Sequence, residues 1–244
     1  MLGLIACSVL NSGHSNAAGN DLKQKVQSYS VGLGGTRLIY PENSGGVFMQ
    51  VNNPNEYPML VQSLVLEENK STPASFIVTP PVFRLDGKQQ SRVRVIMSGS
   101  SEQNDRESLK WLCVTGIPPE LGDEWIDDAE KKAVKEAELQ IKVRVSRCIK
   151  LLVRPGDLQQ KPAFVKESIA WARHGDKIQA SNKTPFFMSF GTLKAGKNEI
   201  ANPDYIPPFG TKDFTIPAGS SGELSWTLIT DEGSSSGPFS VMLP

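Results

Sequence analysis

The sequence predicts an all-β protein. Short runs rich in β-branched and aromatic residues recur from Val26 to the end of the chain, and Gly, Pro, Asn and Asp bound them. The 21 glycines and 17 prolines are spread along the chain, and few stretches show the apolar period of an amphipathic helix. At 244 residues the chain can bury one large core or two ordinary ones, and its length favours two domains.

Two series of candidate strands divide the chain. About seven strands up to Val153 suggest an immunoglobulin-like β-sandwich, which is predicted over residues 19–153. A second, smaller β-sandwich is predicted over residues 154–244, after a junction, RPGDLQQKP, that has the proline and glycine of a short linker. The first series contains VQSYSVGLG, TRLIY, GVFMQVNN, MLVQSLVLEE, SFIVTP, SRVRVIMS and ESLKWLCVTG; the second contains AFVKESIAWAR, KIQASN, FFMSFGTLK, DFTIP, ELSWTLITD and FSVML.

The longest candidate strand is ELQIKVRVSRCIKLLVRP, at residues 138–155. In its first half Leu139, Ile141, Val143 and Val145 alternate with polar residues, which is the period of a strand. Strands usually run about 3–10 residues, and long apolar edges invite unwanted pairing. Either this strand is buried in the centre of a sheet, or another chain uses its edge.

The first residues, 1–18, have the order of a secretory leader: a short apolar run, a polar stretch and small residues near a cleavage site at Ala17 or Ala18. The expected basic start is missing, so the leader is predicted to be truncated or its start site misassigned. A lipid-attachment site at Cys7 is the second alternative. The apolar run is too short for direct membrane insertion, which needs about 20 apolar residues.

Two cysteines, Cys113 and Cys148, remain after removal of the leader. In an exported protein two cysteines most simply form one disulfide. If the leader prediction is wrong, two free buried thiols become the alternative. Between the cysteines, WIDDAEKKAVKEAE is predicted to form a solvated loop or a marginal helix, and a loop of this length is often functional.

Candidates for catalysis are few. The 26 basic and 26 acidic side chains balance, which argues against attraction to nucleic acid. His174, the one histidine outside the leader, is predicted to lie in a hairpin turn. The segment VGLGGTR lacks the third glycine of a nucleotide loop, and LIYP follows where a helix is required. No spacing suits zinc or calcium, so we predict no catalytic residue, metal or cofactor.

Three cations lie in candidate strands: Arg37 in GTRLIYP, and Lys150 and Arg154 at the end of the long strand. Spacing alone favours the interpretation that they reach solvent at the surface of a sheet. In an unbroken strand Lys150 faces away from the four alternating apolar residues. A cleft that uses both faces would need a bulge, a strong twist or a lysine that reaches round the edge.

Six motifs add a family resemblance. In order, GGTRLIYP, TPPVFRLD, DRESLKWLC, GIPP, CIKLLVRP and YIPP resemble the periplasmic chaperones of the chaperone/usher pathway, the PapD-like pilus assembly chaperones. The resemblance extends from about Val31 to ITDEG near the end of the chain. It implies two immunoglobulin-like domains arranged in an L, a periplasmic location and no enzymatic activity.

The resemblance also implies a mechanism. These chaperones bind a fimbrial or fibre subunit that lacks its last strand and lend it one of their own, which is donor-strand complementation. They then deliver the subunit to an outer-membrane usher. The resemblance places Leu139, Ile141, Val143 and Val145 in the groove of the subunit.

Five polar residues match functional positions of the family. Arg37 and Lys150 match two cleft cations that bind the C-terminal carboxylate of the subunit and thereby fix its register. Glu107, Arg154 and Asp231 match an interdomain ion network; the alternative for these three is ordinary surface charge.

The long insert and the flanking cysteines resemble the long-loop (FGL) subclass. Its members also use an extended N-terminal segment, and DLKQKVQSYSVGL is long enough to add a strand beside the donor. The long apolar edge of the strand at residues 138–155 further predicts self-association when no subunit is bound. Two alternative functions remain. One is an immunoglobulin-like fibre subunit or adhesin, which is disfavoured because such subunits lack the last strand that the first domain of this chain has. The other is a hydrolase that depends on His174.

Overall fold

The structure is a computed structural model that describes residues 24–100, 103–120, 122–125, 139–158 and 162–242. The predicted leader and most of the insert that precedes residue 139 lie outside these residues. The first series of strands is β1 Gln24–Tyr29, β2 Gly32–Leu33, β3 Arg37–Pro41, β4 Val47–Asn52, β5 Met59–Leu66, β6 Phe76–Thr79, β7 Val82–Leu85, β8 Gln90–Met97, β9 Ser108–Ile117 and β10 Leu139–Arg154. The second series is β11 Ile169–His174, β12 Lys177–Asn182, β13 Met188–Ala195, β14 Asn198–Glu199, β15 Tyr205–Ile206, β16 Thr211–Thr215, β17 Glu223–Ile229 and β18 Ser235–Met242. A short 3-10 helix, Lys166–Ser168, precedes β11.

Two sheets form the N-terminal sandwich. One has the strand order β1-β10-β9-β5-β7, with β3 also paired to β10, and the other has the order β2-β4-β8-β6. Strand β5 shows why the sequence folds this way, because Met59, Val61 and Val65 are buried on one face while Gln62 and Leu64 are exposed on the other. The buried faces of both sheets contribute to one core.

The C-terminal sandwich has its own core. Its sheets have the orders β11-β12-β16 and β14-β13-β17-β18, and β15 pairs with β13. Aromatic rings fill the space between them: the ring centroids of Trp171 and Trp226 lie 5.1 Å apart, and those of Phe190 and Phe214 lie 5.7 Å apart. The predicted all-β fold with two sandwich domains is therefore confirmed. The boundary at residue 153 and the L arrangement stay predictions.

Strand β10 spans 16 residues and has two different halves. Its second half lies between β9 and β3, and Leu151 and Val153 are buried in the N-terminal core. Its first half, residues 139–144, pairs in parallel with β1 on one edge. Among the described residues no second strand pairs with residues 139–144, since pairing with β9 begins only at Val145 and pairing with β3 only at Lys150. The strand is thus both a central strand and an edge strand.

The predicted N-terminal pairing segment forms β1, beside the first half of β10. Its register places Val26 opposite Ile141 and Ser28 opposite Val143. Strands β1 and β3 both pair in parallel with β10, β1 with residues 139–144 and β3 with residues 150–154.

Candidate functional site

The first half of β10 exposes apolar side chains. Ile141 is 37% exposed and Val143 is 42% exposed, while Val145 is half-buried. Val26, on the neighbouring β1, is also exposed. For Leu139, the fourth predicted residue, only the backbone is described, and it pairs with Gln24. We call Val26, Ile141, Val143 and Val145 the apolar ridge; it presents both hydrophobic area and an unpaired backbone edge.

The second half of β10 carries Lys150, which lies opposite Arg37 in the parallel pairing with β3. The register between β10 and β9 runs from Val145 to Val153 without a break, so Lys150 and Val145 point to opposite faces of the sheet. Lys150 therefore faces away from Val145, as the sequence predicts, and no bulge interrupts the strand between them.

Arg37 is buried, with only 7% of its surface exposed. The interpretation that it reaches solvent at the sheet surface is therefore wrong, because the second sandwich packs over it: its Nη1 donates to the carbonyl oxygen of Ile229 at 3.0 Å. Its Nε is buried and has no hydrogen-bond partner. Burial lowers the pKa of Arg37, although the carboxylates of Asp231 and Glu107 act in the opposite direction.

Lys150 is also held by the second sandwich. Its Nζ lies 3.0 Å from Oδ1 of Asp204 and 3.3 Å from Oγ of Ser189, and it lies 4.4 Å from the centroid of the Tyr205 ring. Burial lowers the pKa of Lys150; the hydrogen bond to Asp204 opposes this shift, and the positive charge of Arg37 adds to it. Unlike Arg37, Lys150 is only half-buried.

The residues that hold Lys150 were not predicted as functional. Tyr205 lies in the YIPP motif, but Ser189 and Asp204 carry no local signal, since they meet Lys150 only through the packing of the two sandwiches. Backbone pairing fixes all three: Ser189 and Tyr205 are opposite residues of β13 and β15, and the carbonyl of Asp204 accepts from the N–H of Phe190 at 2.8 Å.

Arg154, at the end of β10, joins two carboxylates. Its Nε and Nη2 donate to Oε1 of Glu107 at 2.9 and 2.6 Å, and its Nη1 donates to Oδ2 of Asp231 at 3.0 Å. The other oxygen of Glu107 accepts from the N–H of Phe187 at 2.8 Å. Burial lowers the pKa of Arg154, but the hydrogen bonds to both carboxylates and their negative charges raise it more, so that the pKa is raised overall.

Glu107 is only 3% exposed, so the ion network is not ordinary surface charge. Burial raises the pKa of Glu107, and the attraction of Arg154 opposes that shift. Asp231 follows β17 of the C-terminal sandwich, whereas Glu107 immediately precedes β9 of the N-terminal sandwich. The network therefore links the two sandwiches.

The predicted disulfide between Cys113 and Cys148 is present. The two cysteines are directly opposite each other in the pairing of β9 with β10. The bond ties β10 to its sheet just after the apolar ridge.

The predicted hairpin is present, with Gly175 and Asp176 as the turn to β12, but His174 is the exposed last residue of β11 and not part of the turn. Within the described ranges no three His, Cys, Asp or Glu residues are arranged to hold a metal ion. No helix in those ranges is long and apolar enough to cross a membrane.

Comparisons with known proteins identify the family. Residues 30–159 match the model for the pili and flagellar-assembly chaperone, PapD N-terminal domain, and residues 165–238 match that for the pili assembly chaperone PapD, C-terminal domain. The chaperone protein AfaB of Escherichia coli is 43% identical over 209 residues, which cover 85% of this chain and 84% of AfaB.

Two solved structures have a similar fold. The E. coli chaperone DraB superposes with a TM-score of 0.77 and 39% identity, over 91% of this chain and all of that chain. A chain of the complex of the Salmonella enterica SafA pilin with the SafB chaperone superposes with a TM-score of 0.78 and 37% identity, over 90% of this chain and 99% of that chain. Together with the two family matches, these similarities show that the chain belongs to the PapD-like family of pilus assembly chaperones.

Proposed function

We propose that the chain is a periplasmic chaperone that captures fibre subunits by donor-strand complementation and delivers them to an outer-membrane usher. The observation that carries this proposal is the double nature of β10. Its second half is a central strand of the protein's own sheet, while its first half offers a free edge and the apolar ridge. A strand of this kind can complete a second sheet without leaving the first.

The apolar ridge supplies the affinity. Full burial of a Val or Ile side chain is worth roughly 1.5–3 kcal/mol. Because Ile141 and Val143 are already more than half covered in the free chain, each would contribute about 1 kcal/mol of additional burial on binding. The hydrophobic contribution is therefore moderate, and backbone pairing along residues 139–144 must provide the rest. Moderate affinity suits a chaperone that later releases its subunit.

The two cations supply the register. Arg37 and Lys150 are adjacent on β3 and β10, and a subunit strand that runs along β10 towards them would meet both with its terminal carboxylate. Charge-assisted hydrogen bonds to a carboxylate are stronger than neutral ones and depend on its position. We therefore assign Arg37 and Lys150 as the anchor for the C-terminal carboxylate of the subunit.

The remaining residues have structural roles. We assign the network of Glu107, Arg154 and Asp231 to holding the angle between the sandwiches, and the disulfide to fixing the base of the donor strand. We assign β1 to extending the binding edge and the insert to the long-loop subclass. When no subunit is bound, the apolar ridge is expected to promote self-association. No catalytic step or cofactor belongs to this function.

Photo-cross-linking tests the proposal. The chain is co-expressed with the secreted product of the neighbouring gene, a candidate fibre subunit, and carries a photoreactive phenylalanine at position 143 or, as a control, at position 77. Both positions hold exposed apolar residues, but Ile77 lies in the other sheet of the N-terminal sandwich. We expect a cross-linked complex only from position 143. A complex that cross-links from position 77 alone would refute the proposal.

The alternative function, a fibre subunit or adhesin, predicts a different behaviour of the purified chain. A subunit that lacks a strand polymerises or aggregates without a chaperone, whereas the proposed chaperone stays monomeric or forms small capped oligomers. Size-exclusion chromatography with light scattering separates these outcomes.

A further inference from the structure

The ammonium of Lys150 already has a carboxylate partner in the free chain. Its Nζ is 3.0 Å from Oδ1 of Asp204, and the hydroxyl of Ser189 and the face of the Tyr205 ring complete its surroundings. A lysine ammonium has three N–H donors, and this arrangement uses two of them. A carboxylate of the protein itself therefore lies where an external carboxylate would have to bind.

The backbone of Asp204 is fixed, but its side chain is not enclosed. Asp204 has a φ of 54°, in the left-handed region that few residues other than glycine adopt. Its carbonyl oxygen is bonded to the N–H of Phe190. Its side chain is nevertheless 51% exposed. The carboxylate can therefore rotate into water at low cost, while the main chain stays in place.

Arg37 differs from Lys150 in this respect. No carboxylate in the described part of the chain lies within ion-pair distance of Arg37; its Nη1 donates only to a neutral carbonyl, and its Nε is buried without a partner. Buried donors without partners are rare in folded proteins and cost free energy. Of the two adjacent cations, one is neutralised internally and the other has spare hydrogen-bonding capacity.

We propose that Asp204 is an internal substitute for the terminal carboxylate of the subunit: it occupies Lys150 in the free chain and is displaced when the subunit binds. This inference rests on the proposed anchor role of Arg37 and Lys150. Two carboxylates on one ammonium would repel each other, so the incoming carboxylate and Asp204 compete. Binding then exchanges one ion pair for another.

The exchange lowers the net affinity of the anchor but keeps its selectivity. An incoming amide or hydroxyl group cannot displace Asp204, because Lys150 would then exchange an ion pair for a hydrogen bond to a neutral group. Loss of Asp204 removes the competitor and leaves Lys150 beside the positive charges of Arg37 and Lys212, both of which act on Lys150. An external carboxylate should then bind more tightly.

Calorimetry with a peptide pair tests the inference. The probe is a short synthetic peptide of alternating valine and threonine with a polar N-terminal tag and a free C-terminal carboxylate; its twin ends in an amide. Asp204→Asn preserves the shape of the side chain and removes its charge. Asp213→Asn is the matched control, because Asp213 is an exposed carboxylate of the same sandwich that accepts from Gln179.

We expect Asp204→Asn to bind the carboxylate peptide roughly two- to fivefold more tightly than the unaltered chain, which is the range for a partly exposed ion pair. The amide peptide should bind both proteins equally, and Asp213→Asn should behave as the unaltered chain. Unchanged or weaker binding of the carboxylate peptide by Asp204→Asn would overturn the role of Asp204. If the unaltered chain does not prefer carboxylate over amide, the anchor itself fails, and the inference fails with it.

Discussion

Lys150 and Arg37 lie opposite each other on two parallel strands, and each is held by the C-terminal sandwich: Lys150 through Asp204 and Ser189, and Arg37 through the carbonyl of Ile229. Two neighbouring cations repel each other, so their adjacency costs free energy that an anion can recover. The carboxylate anchor that we propose would make use of this adjacency.

Removal of either cation should strongly weaken subunit capture. We expect Lys150→Ala and Arg37→Ala to bind the subunit roughly ten- to hundredfold more weakly, the range for losing one charged hydrogen bond. The yield of co-purified complex measures this effect, and circular dichroism checks that the variants are folded. Lys194→Ala, at an exposed lysine of β13, is the control. Normal yields from both variants would reject the anchor.

A charge on the apolar ridge should also abolish capture. Val143→Asp would place an unpaired carboxylate in the apolar groove of the subunit, which is unfavourable. Because Val143 is 42% exposed in the free chain, the stability of the chaperone itself should hardly change. Ile77→Asp, on the other sheet, is the matched control and should keep full capture. Equal loss in both variants would show that the effect is not specific to the donor strand.

The disulfide should rigidify the donor strand. It closes a loop with a sequence separation of 35, for which the chain-entropy estimate is roughly 3–4 kcal/mol. In the double variant Cys113→Ser, Cys148→Ser we expect a lower free energy of unfolding and faster hydrogen exchange at the amide of Ile141. Exchange in β17 of the other sandwich provides the internal reference. An unchanged rate at Ile141 would assign the disulfide a purely global role.

Breaking the ion network should destabilise the protein strongly. Arg154→Met leaves Glu107 buried without its partner, and loss of one member of a buried pair typically costs about 3–5 kcal/mol. Asp231→Asn should cost less, because Asp231 is more exposed than Glu107. Urea denaturation measures both values, with the exposed Arg173→Met as control. A cost below that of Asp231→Asn would exclude the buried pair as a major stabilising contact.

Glu107 should also give stability a pH dependence. Burial raises its pKa in the folded state above the ordinary value of 4.5, so the folded state holds the proton over a range in which the unfolded state has released it. The stabilising contribution of Glu107 to the free energy of unfolding is then fully present below the ordinary pKa of the unfolded state. It is lost as the pH rises through the raised pKa of the folded state. Relative to Glu107→Gln, the unaltered chain should lose stability over that interval. Glu199→Gln, an exposed residue, serves as control, and parallel curves for Glu107→Gln and the unaltered chain would contradict the prediction.

Local pattern accounts for what the sequence could predict. The period-two alternation of Ile141, Val143 and Val145 predicts both the strand and its exposed apolar side, and two cysteines in an exported chain predict the disulfide. The burial of Arg37 and the partial burial of Lys150 are not predictable from spacing, because they depend on where the second sandwich packs. For the same reason Asp204 and Ser189 carry no signal near their own positions; they become partners of Lys150 only in three dimensions.

The parallel pairing of β1 with β10 affects how the newly synthesised chain folds. Strand β1 can pair with β10 only after the chain has been made as far as Leu139, the partner of Gln24. Contacts between residues this distant along the chain form slowly. A newly made chain therefore exposes unpaired strand edges while its own folding is still incomplete. During that interval the chaperone itself is open to incorrect strand pairing.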